Sequence, residues 1–174
     1  GGGVGGVFVL PYPPGAGGVD AVIVVTSRVL PAPAVPHIFL RPRHLVVGVG
    51  CRRGAAGGAI AAAVRQGVRR AGRSPASVRL LASLDLKANE PGIQEAAQAL
   101  GVPVTFVEAA RAAALLQDPF RGPGLARSSF VKKTLGVDGV CEPAALLASR
   151  GGRLILGKTP FRGVTVAVAE EPSG

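Results

Sequence analysis

The stretch Leu45-Val46-Val47-Gly48-Val49-Gly50-Cys51-Arg52-Arg53-Gly54 decides how this chain is read. Residues 45–49 are an apolar run of strand length, and a run without polar alternation belongs to a strand buried on both faces. Glycines punctuate the turn expected over residues 48–54. A helical pattern follows: Ile60, Val64 and Val68 share one face with Ala63, Gly67 and Ala71 beside them, while Arg65, Arg69 and Arg70 lie on the other. Gly72 stops it. Strand, glycine turn and helix in that order present a helix N-terminus to a ligand, and its free N–H groups and dipole favour an anion. Arg52 and Arg53 add cations able to bind bidentately. The competing reading is a tight turn that only packs helix on strand. No nucleotide fingerprint fits. The third glycine stands one residue late for the dinucleotide pattern, no acid follows at the ribose distance, and no Gly-Lys-Ser/Thr completes a P-loop.

Downstream, strands and helices alternate. Residues 78–84 read as a strand ending in Asp85-Leu86-Lys87. Glu90-Pro91 opens a helix with Ile93, Ala96, Ala97 and Leu100 inward and Gly101 as its stop. Residues 104–107 form a strand, 108–116 an alanine-rich helix and 117–127 a loop. Ser128 or Ser129 caps a helix to Leu135, and Pro143 suits the first turn of a helix over 142–149. Strands 154–156 and 164–169, joined by a turn containing Pro160, make a hairpin. Upstream, residues 1–20 read as loop and 21–25 as a short buried strand. Pro31, Pro33, Pro36 and Pro42 make residues 31–43 an extended linker, with a domain boundary near residue 44. The expected fold class is α/β: a layered sheet with helices on both faces, mixed strands and a C-terminal antiparallel hairpin.

With 48% hydrophobic residues, the 174-residue chain has enough apolar material for a real core, which excludes global disorder. No window is long and apolar enough for a transmembrane helix and no signal peptide is evident. The chain has no methionine and opens Gly1-Gly2-Gly3, so it is expected to be part of a longer sequence. Two cysteines make no disulfide framework, and a reducing cytoplasm is the default location.

The net charge of +10 sits in one place. Between Asp20 and Asp85 there is no acid, yet Arg28, Arg41, Arg43, Arg52, Arg53, Arg65, Arg69, Arg70, Arg73 and Arg79 all fall there. Such a segment suits an anionic ligand, or merely reflects base composition in an arginine-, alanine- and glycine-rich chain. A nucleic-acid partner is disfavoured, because no aromatic interleaves with the basic run and no zinc-finger, helix-turn-helix or RNA-recognition pattern is present. No membrane partner is expected.

Other chemistry-bearing residues are few. Cys51 is expected at a helix N-terminus, where a thiol pKa falls, but the histidines, His37 and His44, both precede the turn. A packed, inert cysteine is the simpler reading for Cys51 and for Cys141. The pair lacks metal-ligand spacing, so neither metal nor cofactor is expected. Asp85, Lys87 and Glu90 stand at a strand's C-terminal end, the edge where open α/β sheets bind ligands. Asp85 or Glu90 could act as a base and Lys87 could hold a carboxylate. A solvated turn with a helix cap explains them equally well. Glu142 either caps a helix or points into a cleft, and Lys158 on its own reads as surface.

These pieces recur together in one family. Residues 45–54 resemble the opening of the C-terminal domain of the cobalamin-biosynthesis protein family CbiG. Ser83-Leu84-Asp85-Leu86-Lys87-Ala88-Asn89-Glu90-Pro91-Gly92 resembles its second block. Gly139-Val140-Cys141-Glu142-Pro143-Ala144-Ala145-Leu146 resembles its third, and Lys158 with Gly163-Val164-Thr165-Val166-Ala167-Val168-Ala169 its closing hairpin. The blocks stand in order over residues 44–170. Residues 19–43 resemble the end of the family's central domain. The resemblance therefore implies a central-domain remnant with a Pro-rich linker over 1–43 and a C-terminal domain of the CbiG/CobE type over 44–171. It implies the anaerobic route to vitamin B12 and a cobalt-precorrin-5A hydrolase, which opens a δ-lactone and releases acetaldehyde. The alternative it leaves is a non-catalytic tetrapyrrole-binding or carrier domain like the stand-alone relative CobE. The implied partner is an anionic cobalt-precorrin, with other enzymes of the pathway possible. Asp85 and Glu90 are then the catalytic candidates. Gly48, Gly50, Cys51, Arg52, Arg53, Lys87, Cys141, Glu142 and Lys158 are the substrate-binding candidates. The segments 50–53, 85–90 and 141–142 are expected to line one cleft.

Overall fold

A strand buried at every residue must be covered on both sides, and Leu45–Cys51 is such a strand. The chain, as a computed structural model, is described over residues 21–117 and 140–172. Its elements are β1 (Val22–Val25), β2 (His37–Leu40), β3 (Leu45–Cys51), α1 (Gly57–Arg70), β4 (Val78–Leu84), α2 (Pro91–Leu100), β5 (Val104–Val107), α3 (Ala109–Gln117), α4 (Cys141–Ala148), β6 (Arg153–Phe161) and β7 (Val164–Glu170). The main sheet has the order β5-β4-β3-β7-β6. β3, β4 and β5 are parallel, and β7 runs antiparallel to both β3 and β6.

Alternation along β3 sorts the core into two layers. Leu45, Val47, Val49 and Cys51 face α1 and α2, packing with Ile60, Val64, Val68, Ile93 and the β7 residues Val164, Val166 and Val168. Val46 faces α4, packing with Ala82, Ala144, Ala145 and Ala169. α3 lies beside α4 through Ala112, Leu84 and Val140. The sheet is therefore mixed, has helices on both faces and closes with the antiparallel pair β6–β7, as its pattern predicts.

Three boundaries differ from expectation. β3 continues through Cys51, so Gly48 and Gly50 lie inside the strand and the turn begins at Arg52. The proline-rich segment 31–43 is not all linker: His37–Leu40, the proline-free interval between Pro36 and Pro42, forms β2 and pairs in parallel with β1. Pro160 lies within β6 opposite Thr165, not in the hairpin turn. β6 is an edge strand, where a missing N–H costs no ladder bond. The turn itself is Arg162-Gly163. The loop expected over 117–127 lies outside the described residues beyond Gln117. So do the loop expected over residues 1–20 and the helix expected from Ser128 or Ser129 to Leu135.

Residues 21–43 are fastened to the main domain. Val29 donates its N–H to Gly72 O at 3.0 Å and Ser74 to Ser27 O at 2.7 Å. The Arg41 guanidinium donates to Thr26 O at 3.0 Å and stacks over the Phe39 ring at 4.6 Å.

Candidate functional site

Because β3, β4 and β5 run the same way, their C-terminal ends share one edge of the sheet. β7 starts at that edge, with Val164 opposite Cys51, so the Arg162-Gly163 turn emerges there too. This carboxyl edge is where parallel α/β sheets bind ligands.

On the α1–α2 side the edge is held by an acid. Glu90 Oε2 accepts the Gly54 N–H at 3.1 Å, and Lys87 Nζ lies 4.0 Å from its Oε1. Glycines bring these loops together. A Cβ on Gly92 would collide with the carbonyl oxygen of Ala55, and one on Gly57 with the Glu95 side chain. Glu95 thus stands beside the first turn of α1. The negative partner that this helix end favours comes from within the chain, and the α1 N-terminus expected to receive a ligand is packed against α2. Asp85 is exposed at the end of β4 and accepts the Ala109 N–H through Oδ1 at 3.3 Å, capping α3.

On the α4 side the residues serve packing. Gly48 has no side chain because the Cys141 carbonyl occupies the place of its Cβ. Thr165 donates to Gly50 O at 3.4 Å and also bonds the Cys141 thiol. Glu142, 7% exposed, neither caps α4 nor points to solvent: its Oε1 accepts the Lys158 N–H of β6 at 2.7 Å. The β6–β7 register slips between Leu156 and Thr159, and Glu142 satisfies the backbone inside that bulge.

Segments 50–53, 85–90 and 141–142 therefore meet at one edge but not on one face. Residues 54 and 87–90 join on the α1–α2 side and Cys141 with Glu142 on the α4 side, with β3 between them. Both thiols are buried. Burial raises the Cys51 pKa, and the nearby Lys87 offsets this only in part. Burial pushes Cys141 to about 11. The lowered pKa expected of Cys51 fails because Cys51 is a buried strand residue and α1 starts only at Gly57. No histidine serves the edge: His37 bonds Val35 O on β2, and His44, ahead of β3, bonds Ser27 Oγ at 2.9 Å.

The acid-free segment is less unbalanced in space than in sequence. Arg73 forks onto Glu170 and Arg79 onto Glu171, at 3.1 and 2.9 Å for one bond of each pair. Both acids come from the C-terminal end of the described chain. Arg43 donates to Gly101 O, and Arg69 and Arg70 sit in the last turn of α1, where the helix dipole favours cations. Among the described residues no acid pairs with Arg52 or Arg53, and both are exposed at the carboxyl edge. Thr165 stood inside the closing-hairpin block, but nothing in the sequence singled it out as the residue that bonds Gly50 and Cys141. Arg162, at the tip of the β6–β7 turn, was not singled out either; its signal was an X-Gly pair between two apolar runs. Among the described residues no group of His, Cys, Asp and Glu could hold a metal ion, and no helix is long and apolar enough to cross a membrane.

A doubly covered mixed sheet, whose carboxyl edge exposes Arg52 and Arg53 with no acid pairing them among the described residues, defines an α/β domain with a cationic edge. A family model described as "Cobalamin synthesis G C-terminus" matches residues 45–169, and the chain belongs to that family. It is 37% identical over 153 residues to a cobalt-precorrin-5A hydrolase of Salmonella typhimurium, covering 86% of this chain and 41% of the relative. It is 37% identical over 129 residues to Protein CobE of a Sinorhizobium species, covering 72% of this chain and 79% of the relative. The crystal structure of the cobalamin biosynthesis protein chiG from Agrobacterium tumefaciens superposes with a TM-score of 0.55 at 37% identity, over 73% of this chain and 98% of that one. The chain thus spans less than half the length of the Salmonella relative.

Proposed function

We propose that the chain is the C-terminal part of a cobalt-precorrin-5A hydrolase of cobalamin biosynthesis, and that its carboxyl edge grips the peripheral carboxylates of the tetrapyrrole. The observation that carries this reading is the contrast between edges. Arg73 and Arg79 are spent on Glu170 and Glu171, whereas Arg52 and Arg53 are exposed beside the Glu90 clamp with no acid of their own among the described residues. Guanidinium forks match carboxylates, and charge-assisted pairs are the strong ones. Arg52, Arg53, Lys87 and Lys158 are the groups for docking. Gly48, Gly50, Cys51, Cys141 and Glu142 hold the edge in shape.

The reaction is addition of water to the lactone carbonyl with cleavage of its ring C–O bond, giving a carboxylate and a hydroxyl on the methylated carbon. That hydroxyl then loses its proton, the bond joining the carbon to the macrocycle breaks with its electron pair left on the macrocycle, and the carbon leaves as acetaldehyde. The first step needs a base and an oxyanion partner. Glu90 is engaged through both oxygens, by Gly54 N–H and Lys87. Asp85 is exposed and uses Oδ1 for the Ala109 N–H, which leaves its second oxygen for a water, and Asp85 is our choice of base.

Residues 21–43 fit the end of a preceding unit. β1–β2 is a two-stranded parallel pair with Ile23, Ile38 and Leu40 exposed, and parallel pairs ordinarily belong to larger sheets covered on both faces. Acetaldehyde release from cobalt-precorrin-5A by the full-length protein, with and without Asp85→Asn, tests the reading. Loss of acetaldehyde in the variant with substrate binding kept is expected. Unchanged release would remove Asp85 from the chemistry, and no release from the full-length wild type would remove the hydrolase assignment.

A further inference from the structure

We propose that Arg162, at the tip of the β6–β7 hairpin, is a second carboxylate anchor for the tetrapyrrole, an inference that rests on the function proposed above. Phe161 pairs with Val164, so the loop between them has two residues, and both are left-handed, Arg162 at φ 46° and Gly163 at φ 83°. Positive φ at both central positions defines the type I′ turn, whose preferred sequence is Asn-Gly. Arg162 is the single non-glycine residue with positive φ among the described residues. A long branched cation gains nothing there from the turn itself, and residues held against local preference gather at functional sites.

Position supplies the second argument. Val164 faces both Phe161 and Cys51, so the turn emerges from β7 at the end of β3 where Arg52 begins, at the same edge of the sheet. Arg162 is exposed, and among the described residues no acid pairs with it, with Arg52 or with Arg53. Three exposed cations at one edge repel one another, and a ligand with several carboxylates relieves that repulsion. The mount is stiff, because β7 is buried from Val164 to Ala169. Arg52 and Arg162 therefore reach neighbouring arms of the macrocycle from the end of β3 and from the turn that opens β7.

Arg162→Asn and Arg162→Lys are titrated with cobalt-precorrin-5A by absorbance, beside thermal unfolding of each variant. Asn suits the turn, so Arg162→Asn is expected to melt at or above the wild-type temperature while binding about tenfold more weakly. Its affinity also falls less steeply with salt, and Lys restores part of the loss. Wild-type affinity in Arg162→Asn, with the parent chain binding normally, overturns the anchor and leaves the hydrolase reading in place. Loss of binding that tracks a lowered melting temperature assigns Arg162 to the fold and also overturns it. Absence of binding by the parent chain overturns both proposals.

Discussion

A methyl group on Gly48 has nowhere to go, because the Cys141 carbonyl stands where its Cβ would be. Gly48→Ala should therefore push α4 off the sheet and lower stability by about 3 kcal/mol, read as a fall in the chemical-denaturation midpoint. A midpoint within error of wild type would show that α4 can slide at no cost. The thiols give a second prediction at this scale. Burial raises both pKa values, Cys141 to about 11, so both sulfurs stay protonated at pH 8. Native protein should react slowly with a thiol reagent and label at both cysteines only after unfolding; rapid native labelling of Cys51 would mean the β3 end is open. At this scale the sequence was a partial guide. The inertness of the cysteines followed from the lack of a nearby base. The reason for Gly48 did not, because a glycine that admits a distant carbonyl and one that frees a turn look identical in one dimension.

Among the elements, β3, β4, α2, β5 and β7 were readable from hydrophobic period and stop signals to within a residue or two. β6 was not. Its register slip, Gly157 and Pro160 all blur strand alternation, and the side chain that repairs the slip, Glu142, lies in another element. β2 was hidden for a related reason: prolines on either side advertise a linker and say nothing of the four residues between them. The Glu142–Lys158 bond makes a prediction that belongs here. Glu142→Gln keeps an oxygen for the Lys158 N–H and should cost less than about 1 kcal/mol, while Glu142→Ala should cost about 1–3 kcal/mol. Hydrogen exchange should show the loss confined to Gly157 and Lys158 before the rest of the sheet. Equal costs for the two substitutions would contradict the bulge-holding role.

Over the whole molecule, the charge pattern was legible and its consequence was not. The arginine-rich segment is real, but the acids that neutralise part of it return at Glu170 and Glu171, a pairing set by the sheet order rather than by sequence distance. The Arg73 fork chiefly holds Glu170 below the ordinary glutamate value of 4.5. At Glu171 burial pulls upward, but the Arg79 fork and the Arg150 N–H together outweigh it. Both carboxylates therefore add stability that is complete above about pH 4.5 and is lost as pH falls below it. Glu170→Gln with Glu171→Gln should lower stability at neutral pH and flatten its decline in acid; an unchanged acid slope would show that other groups govern it. We propose that Arg52, Arg53 and Arg162, which no acid pairs among the described residues, hold a polycarboxylate tetrapyrrole at the carboxyl edge. The most direct test is an absorbance titration of this chain and of Arg52→Ala with cobalt-precorrin-5A. Binding by the parent chain, weakened by about 1.5–3 kcal/mol in the variant, is the predicted result. Equal affinity in the two proteins would place Arg52 on an ordinary solvated surface and contradict the account.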